Sequence, residues 1–234
     1  MLDLEFKLAL CCSITVVSLD EYLRRVTGDE KHTPSATSTL DVLWVLFDRV
    51  LRTTPYEDRD RFLLSKGHGP AAYYAVLAAK GYIPENWLDD VASWDSPLGH
   101  HPDRLRIPAV EISSGSLGHG LPLGVGVALG LRAQGLARPR VFVLVGDAEL
   151  DEGSNHEAIA FAGAVGLDRL IVIAIDNSSA THGWPGGIAS RFSVNGWEAS
   201  DVDGRNHDAI FKALQSYGSG RPTVVVAHTE RKAG

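Results

Sequence analysis

The sequence predicts an α/β fold, a doubly wound, mostly parallel sheet with helices on both faces. Three observations predict it. Val141–Val145, Leu170–Ile175 and Thr223–Ala227 are continuous apolar runs, the pattern of parallel strands buried on both faces. Helical patterns separate them, as crossover connections require. The first two runs each stop at a polar turn, Gly146-Asp147 and Asp176-Asn177.

The elements follow in order. Leu19, Tyr22, Leu23 and Val26 recur at helical spacing, as do Leu40, Leu43, Trp44, Phe47, Val50 and Leu51. The polar, Pro-containing stretch from Gly28 to Ser38 is read as the break between these two helices. Ser65-Lys66-Gly67-His68-Gly69-Pro70 is a punctuated loop, and a small-residue helix is expected over Ala71–Lys80. Ser93 to Ile107, with its prolines, glycine and histidines, reads as an exposed loop. Val110–Ile112 is expected to be a short strand entering Ser113-Ser114-Gly115-Ser116-Leu117-Gly118-His119-Gly120, and a Gly- and Ala-rich helix follows to about Gln134. Asn155–Val165 is an Ala-rich helix. No repeat, low-complexity tract or boundary divides the chain. Residues 1–234 are therefore read as a single domain with a helical segment over about 1–60.

Composition limits the function. The 234 residues are 44% hydrophobic and 22% charged, an ordinary globular balance. A net charge of −7 with no basic block argues against nucleic acid or an anionic membrane as partner. The two cysteines, Cys11 and Cys12, are adjacent, so neither a disulfide framework nor a cysteine zinc site is expected. The apolar stretch Leu8–Val17 is too short to span a bilayer and lacks a basic leader. A cytoplasmic protein is the expectation.

Two adjacent parallel strands bring their carboxyl ends to one edge, about 5 Å apart. Asp147 follows the first strand and Asn177 the second, thirty residues later. A carboxylate and an amide oxygen at the ligand-binding edge of an α/β sheet suit a hard cation such as Mg²⁺. The helix starting near Ser154 adds a positive dipole end for an anion. Asp and Asn after strands are also common turn residues and helix caps, so spacing alone leaves both readings open.

The surrounding motifs resemble one family. Gly146-Asp147-Ala148-Glu149-Leu150-Asp151-Glu152-Gly153, His156-Glu157-Ala158 and Asp176-Asn177 are similar to the thiamine-diphosphate motif of transketolases, which begins Gly-Asp-Gly and closes with Asn. Ser65-Lys66-Gly67-His68-Gly69 resembles the family's cofactor loop. Gly99-His100-His101-Pro102 resembles its Gly-His-Pro segment, and Ser114 to Gly120 its Thr-Gly-Pro-Leu-Gly-Gln-Gly loop. The matching segments stand in the same order, from about His32 to Ala227.

The resemblance implies the fold of the family's diphosphate-binding domain, with thiamine diphosphate and Mg²⁺ as cofactors. It implies Asp147 and Asn177 as metal ligands, completed by the carbonyl of Ser179. It places His68, Gly115, Leu117, Gly146, Asp147, Ala148 and Asn177 at the cofactor. His32, His68 and His101 are the implied catalytic histidines, with His100 the alternative to His101. Glu152 and Glu157 match acids near the family's subunit interface, where they couple to the cofactor-activating glutamate; they also read as ordinary first-turn helix acids. His119, His156, His182, His207 and His228 are read as non-catalytic. Two positions depart from the family: Ala148 replaces a glycine, and His182 stands where an aspartate is usual.

Nothing in the 234 residues resembles the pyrimidine-binding half of a transketolase. The resemblance therefore implies the N-terminal subunit of a split transketolase, working with a separate C-terminal, pyrimidine-domain subunit, as an α2β2 heterotetramer by analogy. Its reaction would move a two-carbon ketol unit from a ketose donor to an aldehyde acceptor. Two other readings stay open: a thiamine-diphosphate ligase or lyase using a 2-oxo acid, and a non-catalytic cofactor-binding or scaffold subunit.

Overall fold

A computed structural model of the protein describes residues 16–26 and 33–230. His32, Cys11 and Cys12 lie outside the described residues, as does most of Leu8–Val17. The described residues form a five-stranded, wholly parallel sheet in the order β1-β2-β3-β5-β4. The strands are β1 (Arg61–Leu64), β2 (Val141–Gly146), β3 (Leu170–Asp176), β4 (Glu198–Asp203) and β5 (Thr223–His228). The helices are α1 (Val16–Arg25), α2 (Thr33–Val45), α3 (Pro70–Ala79), α4 (Gly120–Ala133), α5 (Gly153–Ala164), α6 (Gly187–Ser193) and α7 (His207–Gln215). A π-helical turn, Leu46–Val50, extends α2.

Side chains on a strand alternate between faces. Here both sets are apolar, so each face demands its own cover. Phe142 and Leu144 of β2 and Ile171, Ile173 and Ile175 of β3 pack with α1, α2, α3 and α7. Val141, Val143 and Val145, with Leu170, Val172 and Ala174, pack with α4, α5 and α6. The sheet is thus doubly wound. One glycine of α4 has a clear packing reason against the sheet: a Cβ on Gly124 would come 2.4 Å from Cγ2 of Val143, so helix and strand approach backbone to side chain.

Three expectations need correction. Val110–Ile112 forms no strand. Val110 is buried in the core, but the segment is a turn that pairs with no neighbour. The break between the first two helices is shorter than Gly28–Ser38, because α2 already begins at Thr33 with Pro34 in its first turn, where the missing N–H costs no helical bond. The sheet also gains two strands without long apolar runs. β1 has four residues, and β4 (Glu-Ala-Ser-Asp-Val-Asp) is a polar edge strand paired only with β5. Charges on such an edge discourage further pairing.

Candidate cofactor site

The carboxyl ends of β1, β2 and β3 lie side by side. Leu64 pairs with Leu144 and Gly146 with Ile175. The ladder carries past the strands, with Asp147 N donating to the Ile175 carbonyl at 3.0 Å and Ser65 N and Lys66 N both donating to that of Leu144. Asp147 and Asn177 therefore share one rim of the sheet, and both are nearly fully buried.

Asp147 is held by four donors. Its Oδ1 accepts from Ala148 N at 2.9 Å and Ser179 Oγ at 2.5 Å; its Oδ2 accepts from Ser179 N at 2.6 Å and Ala180 N at 3.1 Å. Loop 178–180 thus wraps the carboxylate. The wrap is tight enough to put Ser178 at φ 56°, a left-handed conformation that a residue with a Cβ adopts only when its surroundings impose it. Ala148, the departure from the family's glycine, has negative φ and opens a short 3₁₀ turn, so its methyl group adds no strain there.

Asn177 is different. Its Nδ2 donates to Ser38 Oγ at 3.4 Å, whereas its buried Oδ1 has no hydrogen-bond partner among the described residues. A buried acceptor left unpaired costs about 1–3 kcal/mol. An oxygen-only ligand set is what a hard cation takes. The orphaned amide oxygen beside a carboxylate on the same rim fits Mg²⁺. Coordination at Asp147 requires at least one of its four donors to give way, and Ser179 supplies two of them.

Around this pair three loops converge through a residue that sequence reasoning did not single out. Glu149 is 2% exposed. It accepts from the Ser65 hydroxyl, from Gly118 N at 3.0 Å and from Gly146 N at 3.2 Å. Ser65 Oγ accepts in turn from Gly120 N at 3.0 Å, and Ser154 Oγ donates to the Gly118 carbonyl at 2.7 Å. Burial pushes the Glu149 carboxyl above its ordinary value, against the pull of Ser65, Gly118, Gly146 and Lys66. Ser65 and Gly118 lie 84 and 31 residues away, so no local pattern signals them.

The loops carry the expected residues together. Gly115 has φ 122°, and a Cβ there would sit 2.5 Å from Cγ of His101. The imidazole of His101 thus lies directly on Gly115, although His100 and His101 are both exposed. Between the two histidines, His101 is the one whose ring lies against the Gly115 loop. A Cβ on Gly67 would meet Leu117 Cδ2 at 3.0 Å, which puts Leu117, 42% exposed, over the loop that bears His68. Exposed apolar surface beside a polar rim is suited to a ligand or partner. Glu152, the residue that precedes α5, and Glu157 within it are exposed, as is Phe161 of the same helix at 47%. His182 lines a cleft of about 180 Å³ with Asp147, Asp151, Asp176, Trp184 and Arg191. His207 pairs with Asp41, and His228 bridges Asp176 and Asp201, both outside the loop cluster.

Fold and rim define a cofactor-binding α/β domain. The chain belongs to the transketolase family, matching the model described as "Transketolase, thiamine diphosphate binding domain" over residues 13–231. It is 38% identical over 214 residues to a subunit of the apulose-4-phosphate transketolase of Actinobacillus succinogenes, covering 87% of this chain and 77% of that one. It is 33% identical over 215 residues to 6-deoxy-6-sulfo-D-fructose transketolase subunit SqwG of a Clostridium species, covering 87% and 78%. A Rhodococcoides fascians protein named Ferredoxin fas2 is 54% identical over 219 residues, covering 92% of this chain and 72% of its own. These 234 residues hold two cysteines, whereas an all-cysteine iron–sulfur cluster takes four. Among solved structures, transketolases from Leishmania mexicana and Campylobacter jejuni superpose with TM-scores of 0.78 and 0.75 at 25% and 26% identity. Those alignments cover 93% and 92% of this chain but 37% and 38% of the longer enzymes, so the chain spans just over a third of their length. No helix among the described residues is long and apolar enough to cross a membrane.

Proposed function

We propose that this chain is the diphosphate-binding subunit of a heteromeric transketolase, a transferase that moves a two-carbon ketol unit from a ketose to an aldehyde acceptor. The observation that carries the reading is the rim: a carboxylate and an unpartnered, buried amide oxygen at adjacent strand ends, ringed by loops that match the family's cofactor segments. The similarity to relatives that are themselves named as transketolase subunits supports the split arrangement. In this reading residues 1–234 work as one cofactor-binding unit.

Asp147, Asn177 and the carbonyl of Ser179 would hold Mg²⁺, whose charge would offset that of the diphosphate of thiamine diphosphate. When bound, that cofactor supplies a stabilised carbanion centre for making and breaking the bond next to a carbonyl. The chain's own residues position and protect. Gly146 and Ala148 would offer backbone to the diphosphate, Gly115 and Leu117 would line the cofactor, and His68 would approach it from its loop. His101, and His32 outside the described residues, hold substrate hydroxyls or exchange their protons. The loop that bears Gly115 and Leu117 is stiff because Glu149 ties its backbone to the metal turn.

The partner is a pyrimidine-domain subunit, in a complex of two copies of each. Support comes from exposed Leu117, Leu123 and Phe161 and the neighbouring acids Glu152 and Glu157, a mixed apolar and charged surface suited to association. The test is reconstitution with a chain that carries the pyrimidine half, followed by assay with thiamine diphosphate, Mg²⁺, a ketose donor and an aldehyde acceptor. An aldose two carbons shorter than the donor is the expected product. Carbon dioxide from a 2-oxo acid donor, without ketose turnover, refutes the donor assignment. Failure of the assembled pair to bind cofactor makes the chain a scaffold subunit.

A further inference from the structure

Ser38 lies on α2, on the face of the sheet that carries α1, α3 and α7, and its side chain reaches Asn177. It is 3% exposed. A hydroxyl offers one proton and two lone pairs. All are used here: Ser38 Oγ donates to the Ser35 carbonyl at 2.9 Å and accepts from Lys66 Nζ at 3.3 Å and Asn177 Nδ2 at 3.4 Å. Lys66, also buried, has three protons. Its ammonium donates to Ser38 Oγ, to the Ser35 carbonyl at 3.0 Å and to Thr39 Oγ1 at 3.0 Å. Thr39 Oγ1 donates its own proton to the Ser35 carbonyl at 2.8 Å.

The Ser38 hydroxyl and the Lys66 ammonium are thus directed at acceptors other than Asn177, with the Ser35 carbonyl shared among three side-chain donors. Toward Asn177 the cluster presents a lone pair. An amide has two ends of nearly equal shape and opposite hydrogen-bonding sense. With its NH₂ toward Ser38 it gains a bond. Turned over, its oxygen meets the Ser38 oxygen with no proton between them, and its NH₂ takes the place of Oδ1. A hard cation binds the oxygen and is repelled by the NH₂.

We propose that Ser38, oriented by Lys66, is a positioning residue that sets which end of the Asn177 amide faces the metal. This rests on the reading of Asn177 as a metal ligand. Residues that orient a ligand from behind typically account for 10- to 100-fold in metal affinity. The sequence position of Ser38, in the helix before β1, gives no hint of this role.

The experiment uses the assembled complex of this chain with its pyrimidine-domain partner. Mg²⁺ is titrated calorimetrically in excess thiamine diphosphate, and melting temperatures are recorded with and without the ligands. Ser38→Ala is expected to weaken Mg²⁺ by about tenfold and to shrink the ligand-induced rise in melting temperature. The decisive background is Asn177→Asp, whose two oxygens make orientation irrelevant. There, adding Ser38→Ala should cost less than about twofold. An equal loss in both backgrounds means that Ser38 acts through packing and overturns the proposal, as does no loss in the native background. Thr39→Ala removes a partner of Lys66 without touching Asn177, and a loss as large as that of Ser38→Ala also overturns it. Should Ser38→Ala fail to assemble, Ser38→Cys keeps a weak acceptor and is expected to give an intermediate loss; native affinity in that variant counts against the proposal. Asn177→Ala separates the two levels: unchanged Mg²⁺ affinity there refutes the metal site itself, whereas a loss there without one in Ser38→Ala refutes only the positioning role.

Discussion

Glu149→Gln is the perturbation whose magnitude follows most directly from the structure. The carboxylate receives Ser65 Oγ–H and Gly118 N–H on one oxygen and Gly146 N–H on the other. Gln keeps the shape but has only one acceptor atom. Its better orientation keeps the oxygen toward Ser65 and Gly118 and turns the NH₂ against the Gly146 N–H. That leaves one buried donor unpaired, at about 1–3 kcal/mol, and weakens two charge-assisted bonds to neutral ones. A net loss of about 2–3 kcal/mol is expected. For a chain of this length that lowers the melting temperature by roughly 5–10 °C. Thermal unfolding followed by circular dichroism at neutral pH reads this directly. Because Gly118 belongs to the same loop as Gly115 and Leu117, cofactor affinity of the assembled enzyme should fall as well. A melting temperature within about 2 °C of the parent would refute the claim that Glu149 ties the loops.

Other consequences follow from the same geometry. With Glu149 titrating above its ordinary 4.5, the folded chain keeps a proton that the unfolded chain has released, so stability should fall as pH rises from 4.5 through the raised value; Glu149→Gln should flatten that slope in urea titrations run at stepped pH, and an unchanged slope would assign it elsewhere. Gly115→Ala should displace the His101 ring, since the added methyl would lie 2.5 Å from its Cγ; the expected signature is a large drop in turnover with modest loss of melting temperature, and native turnover would contradict the placement of His101. Ser179→Ala removes one donor to Asp147 yet keeps the backbone carbonyl, so Mg²⁺ affinity should hold or tighten; a tenfold weakening, seen by calorimetry, would show that the hydroxyl rather than the carbonyl matters. Phe161→Asp should abolish co-elution with the partner subunit while leaving this chain's own melting temperature near the parent value, and unimpaired co-elution would remove α5 from the interface.

The parts of the fold legible in the sequence are those whose burial is two-sided. Val141–Val145, Leu170–Ile175 and Thr223–Ala227 are unbroken apolar runs because helices cover both faces. β4 lacks that signal: as an edge strand it exposes Glu198, Asp201 and Asp203, so its alternation is masked by charge. β1 is only four residues long and is flanked by arginines and Asp60, too brief for a periodic pattern. α7 did carry a signal, with Asn206 capping Ala209 N at 3.0 Å ahead of buried Ile210 and Leu214. Val110 misled in the opposite sense, since a buried apolar residue in a turn resembles a strand start. At the candidate site, the placement of Asp147 and Asn177 on one rim, and of His101 near Gly115, was foreshadowed because these residues stand in recognisable segments. Glu149 and Ser38 were not, because their roles depend on partners brought close only by folding: Ser65 for one and Asn177, 139 residues away, for the other.

The most direct test is a crystal structure of the chain assembled with its pyrimidine-domain partner, thiamine diphosphate and Mn²⁺ in place of Mg²⁺. An anomalous peak is expected between the ends of β2 and β3, within about 2.5 Å of an Asp147 carboxylate oxygen and of Asn177 Oδ1, with the diphosphate on the cation's open side. A peak bonded to neither residue, or a diphosphate seated away from this rim, would contradict the account.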